Sequence, residues 1–154
     1  MCPGISIWLI YVNIIDMEDG ESQPLGYLLH RVATALRTEV TTTVLEPLDL
    51  AFPEYICMRL LSHTPGKSNA ELARDVNVSP QAMNMVVRGL QERGLVTRPA
   101  MASSGRSRPA ELTREGVKLL KRTDSGVREA ERHILATLGE QDRREFRRLL
   151  AALA

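Results

Sequence analysis

The stretch SNAELARDVNVSPQAMNMVVRGLQERGLVTRP, residues 68–99, decides the fold. Ser68 is followed three residues later by Glu71, the spacing of a capping box at a helix start. Leu72, Ala73 and Val76 share an inward face, so the helix they mark is short. Asn77 and Val78 then lead into Ser79-Pro80, an N-cap with proline at the first helical position. The next helix runs to about Arg93, with Met83, Val86, Val87 and Leu90 on its inner face and Gly94 as its stop. Two short helices joined by a tight polar turn form a helix-turn-helix.

Downstream, Leu95–Arg98 is a short β-prone run, Pro99–Arg108 a basic loop containing Ser103-Ser104-Gly105-Arg106, and Ala110–Leu112 a return strand. This hairpin is a wing, and Pro99 and Pro109 suit only its edge positions. Thr113 caps a long helix expected to reach about Leu138, with Val117, Leu120, Val127, Ile134 and Leu138 as a narrow apolar seam. Gly139 is its expected end. A last helix over Glu140–Ala152 presents Phe146, Leu149, Leu150 and Leu153. Narrow seams of this kind do not bury themselves in a small monomer, so the terminal pair reads as a dimer interface.

Upstream, Ser22 to Pro24 reads as a helix start. Leu25, Leu28, Leu29, Val32, Ala35, Leu36 and Val40 follow at helical spacing, and this helix is expected to end near Leu45–Pro47. Thr41, Thr42 and Thr43 lower the intrinsic propensity there, so burial must compensate. Phe52–His63 is a further helix, with Pro53 in its first turn and Pro65-Gly66 stopping it.

The chain has 154 residues, which suggests one domain, or one compact unit with an oligomerisation arm. With 44% hydrophobic and 25% charged residues, it is neither disordered nor a multi-span membrane protein. Aromatics are only 4%, so the core is aliphatic. The net charge of +1 hides an asymmetry. Residues 1–65 carry net −5, residues 66–110 net +4 and residues 111–154 net +2. The basic part is the helix-turn-helix and wing, which points to a polyanion.

Residues 1–20 stand apart. ISIWLIYVNII, residues 5–15, is too short to span a membrane and lacks the flanking charges of a secretory signal. It reads as a strand or arm added to a dimer, as an aggregation-prone tail, or as a consequence of start-site choice, with Met17 as the start. The last is the favoured reading.

The central string, with ELA, the Ser-Pro-Gln opening, L-x-x-x-G-L-V-x-R and L-T-x-x-G after the wing, resembles the MarR family of winged helix-turn-helix transcription regulators. The resemblance covers about Leu25 to Leu150. It implies a mainly α fold with a small β-hairpin wing. Residues 21–50 and 113–154 would then be dimerisation helices, and 51–112 the winged helix-turn-helix DNA-binding region. It also implies a cytoplasmic homodimer that represses transcription and leaves DNA when a small aromatic acid or phenolic ligand binds. One departure stands out. The family's wing usually carries Asp-x-Arg, and here Ser104-Gly105-Arg106 keeps the arginine without its carboxylate partner, so a looser wing is expected.

The residues support DNA contact on their own terms. Gln81, Ala82, Asn84, Met85 and Arg88 fall outward on the recognition helix. Gln and Asn pair bidentately with adenine, Arg with guanine, and Ala82 and Met85 suit thymine methyls. The helix start at Ser79-Pro80 and the earlier one at Ser68 suit phosphate. Arg98, Arg106 and Arg108 place charge on the wing, with Arg106 assigned to the minor groove. A two-fold dimer then calls for a pseudo-palindromic operator in double-stranded DNA, with half-sites one helical turn apart.

The ligand candidates are Tyr27, His30 and Arg31 on the first helix and Phe52, Tyr55 and Cys57 near the second. Arg31 suits a ligand carboxylate. Cys57 also allows an oxidant-sensing alternative, although Arg59 falls on another side of the helix and a buried, inert thiol is the favoured reading.

Three rival classes are weaker. An enzyme finds no phosphate loop, nucleophile elbow or acid pair beside a histidine. A protein-interaction module would favour an apolar or acidic recognition face. A membrane-tethered regulator would need lysine or arginine beside the apolar N-terminal run. His30, His63 and His133 are too far apart in sequence to suggest a zinc site, and no cofactor is expected.

Overall fold

The computed structural model describes residues 23–98 and 110–153. The chain divides into two compact units, residues 1–37 and 38–154. Helix α1, Leu25–Val40, supplies most of what is described of the first unit and crosses into the second. The expectations for residues 1–20, and for Arg106 and Arg108, lie outside the described residues.

In the second unit, the threonine tract is a π-helical turn over Thr41–Leu45, followed by a 3-10 turn over Glu46–Leu48. Thr42 Oγ1 donates to the carbonyls of Thr38 and Glu39, and Thr43 Oγ1 donates to that of Glu39 at 2.7 Å. Threonine hydroxyls that bond back to the preceding turn compete with the regular helical ladder. Burial holds the widened turn, since Val44 and Leu45 enter the core.

Helix α2 spans Phe52–His63, α3 Asn69–Asp75 and α4 Pro80–Glu92. The caps are the expected ones. Ser79 accepts from the Ala82 N–H, and Ser68 and Glu71 form a reciprocal box. Asn77 turns the chain between α3 and α4 with φ 53°, a left-handed conformation that asparagine tolerates. Met83, Val87 and Leu90 of α4 are buried against Met58, Leu61 and Leu72, while Val86 is half-buried.

Gly94, at φ 68°, ends the α4 region and starts the wing. Strand β1, Val96–Thr97, pairs antiparallel with β2, Glu111–Leu112, with Val96 opposite Leu112. The return strand is held on both sides, because Ala110 exchanges backbone bonds with Gly66 and Lys67 at 3.1 and 3.2 Å.

Helix α5 spans Arg114–Ile134 and α6 Glu140–Leu153. Helix α5 therefore ends four residues short of the expected Leu138. Residues 135–138 form tight turns instead, with Ala136 bonding back to His133 and Leu138 to Leu135. Thr137 and Gly139 are weak helix formers and do not sustain the ladder. The buried line of α5 also differs from the expected seam. It comprises Leu120, Thr123, Val127 and Ala130, while Val117 is exposed. Thr123 joins the line because its hydroxyl bonds the Leu119 carbonyl at 2.9 Å, which satisfies the polar group inside the core. No helix among the described residues is long and apolar enough to cross a membrane.

Candidate nucleic-acid interface

The outward face of α4 carries the residues the sequence assigns to it. Gln81, Ala82, Asn84, Met85 and Arg88 are all exposed, and Met85 is 76% exposed. Its first turn has no acidic residue. Ser79 uses a lone pair on Ala82 N–H and keeps its own O–H to donate, and Pro80 beside it is exposed. Arg88 donates to Glu92 at 3.0 Å across the surface. An exposed pair of this kind is worth about 0–1 kcal/mol, so it yields readily to a phosphate or base.

Two placements depart from expectation. The Ser68 hydroxyl and backbone N–H both donate to the Glu71 carboxylate, at 2.6 and 2.8 Å. These bonds hold the Glu71 carboxyl below its usual range. In this arrangement the Ser68 donors are turned to the neighbouring Glu71 carboxylate. Arg98 is half-buried at the wing base instead of standing free on the wing. Its Nη2 donates to Asn69 Oδ1 at 2.5 Å, and its Nε is buried without a hydrogen-bond partner among the described residues.

Asn69 is a site residue that sequence reasoning misses. It is 7% exposed and bonds Asn84 Oδ1 through its Nδ2. It thereby connects the wing base to the recognition helix. Residues 69, 84 and 98 are distant in sequence, and an asparagine after an N-cap gives no local signal of such a contact.

Behind the recognition helix, Arg93 ties its end to the start of α2. Its Nη1 reaches Glu54 Oε2 at 3.4 Å and bonds the Asp49 carbonyl, while Nη2 bonds the Leu48 carbonyl at 3.3 Å. Arg93, Glu54 and Asp49 line an open groove of about 490 Å³ with Glu46, Leu50 and Ala51. None of the six expected ligand residues lines it, and its carboxylates disfavour an anionic ligand.

Of those six, Tyr27, His30 and Arg31 lie in the first unit, with the Arg31 guanidinium 5.9 Å from the centre of the Tyr27 ring. Phe52, Tyr55 and Cys57 lie in the second. Phe52 meets the Tyr55 ring edge-on at 6.4 Å. The Tyr55 hydroxyl donates to Asp124 Oδ1 at 3.0 Å, and Arg59 Nη1 reaches the same oxygen at 3.1 Å. Burial, and then Asp124, push the Tyr55 phenol up to about 12. Cys57 has no exposed surface, and burial, with Glu54 adding to it, raises its thiol to about 12. A protonated, enclosed thiol is a poor oxidant sensor. Among the described residues no group of three His, Cys, Asp or Glu is placed to hold a metal.

A helix-turn-helix, a wing base paired on both sides and a long following helix define a winged helix-turn-helix protein, and the chain belongs to the MarR family. The MarR family model matches residues 51–107. The HTH-type transcriptional repressor Rv2887 of Mycobacterium tuberculosis is 52% identical over 133 residues, covering 86% of this chain and 95% of that protein. The crystal structure of Rv2887 in complex with DNA matches with a TM-score of 0.76 at 47% identity, covering 86% of this chain and 99% of that one. Its complex with salicylic acid matches with a TM-score of 0.75 at 51% identity, covering 88% of this chain and all of that one. Wild-type MarR from E. coli shares the fold, with a TM-score of 0.76 at 20% identity and coverage of 85% and 97%.

Proposed function

We propose that this chain is a homodimeric, sequence-specific repressor that binds double-stranded DNA and is released by a small aromatic acid. The observation that carries the reading is the exposed Gln81, Ala82, Asn84, Met85 and Arg88 face of α4, set on a buried apolar stripe. Its likeness to a repressor seen in complex with DNA supports the same reading. The α4 face enters the major groove, and Ser79 and the α4 start meet phosphate. The chain acts by binding and not by catalysis, in the cytoplasm where its DNA lies.

The dimer forms through α1, α5 and α6. Leu149, Leu150 and Leu153 of α6 are 48%, 38% and 78% exposed, an apolar surface that a second copy covers. The ligand class follows from the relative's complexes with salicylic acid and p-aminosalicylic acid. Tyr27, His30 and Arg31 are its proposed polar contacts. Tyr55 and Cys57 are less suited, since the hydroxyl of one is occupied and the other is enclosed.

Fluorescence anisotropy on the duplex upstream of the coding sequence, against scrambled competitor over a salt series, tests the reading. Binding resists the scrambled duplex and weakens steeply with salt, as expected for a dimer neutralising about six or more phosphates. Added salicylate then lowers affinity by favouring a spacing of the two recognition helices that does not fit the grooves. Equal, weak binding to both duplexes would overturn DNA specificity at this operator. Unchanged affinity at saturating salicylate would rule out that inducer.

A further inference from the structure

Asn84 is exposed on the recognition face, yet its side chain is not free to turn. Arg98 has only donors. The Asn69 atom that meets Arg98 Nη2 at 2.5 Å is therefore Oδ1. That leaves Asn69 Nδ2 facing Asn84, and the Asn84 atom that meets it must accept, so it is Oδ1. Every amide along the line is oriented by the arginine at its end. Asn69 is 7% exposed, so no water readily replaces either contact. Asn84 Nδ2 has no partner among the described residues and is the polar atom it offers outward.

We propose that Asn69 and Arg98 are positioning residues that make Asn84 a pure hydrogen-bond donor to the operator. The proposal rests on the DNA-binding reading above and specifies how one base pair is chosen. Bidentate adenine pairing needs both ends of the amide at the base edge, and here Oδ1 is held inward. A donor alone suits the acceptors of guanine, N7 and O6, or of thymine, O4, and can reach adenine only at N7, beside the N6 amino group that repels it. It meets the N4 amino group of cytosine donor to donor. Asn84 therefore favours guanine or thymine over adenine at its position and rejects cytosine.

The test is selection from a randomised duplex library with the full-length protein. The Asn84→Ala variant identifies the base pair whose preference depends on that side chain. At that pair, the unaltered protein enriches guanine or thymine over cytosine by about fivefold or more. Asn69→Asp keeps an acceptor for Arg98 but presents only acceptors to position 84. Asn84 then turns its Nδ2 inward and its Oδ1 outward, and the enriched base changes to cytosine or adenine. Arg98→Met removes the pin, lets both amides turn, raises adenine to the level of guanine through bidentate pairing, and weakens the rejection of cytosine.

Thermal melting confirms folding of each variant, and Arg98→Met carries the test if Asn69→Asp does not fold. An Asn84-dependent preference that stays the same in the folded variants, with affinity falling uniformly, would overturn the proposal. So would an Asn84-dependent preference for adenine over guanine, or for cytosine, in the unaltered protein. No enriched sequence at all with the unaltered protein would overturn the DNA-binding reading, and this inference with it.

Discussion

Gly116 lies directly beneath Leu95, so close that a Cβ on it would stand 2.1 Å from the Leu95 carbonyl oxygen. Thr113, three residues earlier, caps the same helix through the Gly116 N–H and donates its own hydroxyl to the Gly94 carbonyl at 2.7 Å. The L-T-x-x-G string is thus a joint: the threonine ties α5 to the wing base, and the glycine lets the two backbones meet.

Gly116→Ala should therefore destabilise the fold by about 1–3 kcal/mol or more, because a backbone carbonyl must move. Urea unfolding measures it. Gly26→Ala is the control, since nothing lies within 4 Å of its added Cβ. At a helical site of that kind the change should be neutral or stabilising by up to about 1 kcal/mol.

Ser68→Ala separates a cap from a phosphate contact. Loss of the box with Glu71 should lower stability by about 1 kcal/mol. The salt dependence of DNA binding should stay the same, because the Ser68 donors already belong to Glu71. A slope reduced by about one would identify Ser68 as a phosphate contact.

Cys57 should resist mild peroxide in the folded protein, with peptide mass spectrometry reporting no modification at that residue. Its enclosure and raised pKa keep it a thiol at neutral pH. Modification at Cys57 under native conditions would revive oxidant sensing.

Alkali should unfold the protein. Cys57 and Tyr55 are both raised in the folded state, from 9.0 and 10.0 to about 12. The folded chain holds these protons more tightly than the unfolded chain. Their contribution is complete below pH 9.0 and declines as pH rises through the window to about 12. Thermal melting should fall across that window. Tyr55→Phe should remove the part beginning near pH 10.0, at a fixed loss of about 0.5–1.5 kcal/mol for the missing bond to Asp124.

Most of the recognition helix was legible because its signals are local. Ser79, Pro80 and Gly94 mark its limits by backbone chemistry, and the spacing of Met83, Val87 and Leu90 marks its buried side. The same local logic placed the wing strands and the start of α5. It failed where the deciding contact is remote or polar. Thr123 reads as a break in an apolar line, yet it is fully buried. The bond between Asn69 and Arg98 spans 29 positions, so no window on the sequence contains its cause. The early end of α5 was missed because Gly139 looked like its stop, while the chain had already tightened into turns at Leu135.

The widened turn at Thr41–Leu45 has a consequence for how this region tolerates change. One residue of an α-helix corresponds to about 100° of rotation. A π turn takes up one more residue than an α turn over the same rotation. Removing one threonine should therefore let the ordinary winding return with Val44 and Leu45 still facing the core, and with Val44 still beside Gly126, whose added Cβ would stand 2.7 Å from Val44 Cγ1. Adding a residue has no such outlet, and would swing both side chains away by about that angle. The threonine turn is slack in the chain, able to give up a residue but not to take one in.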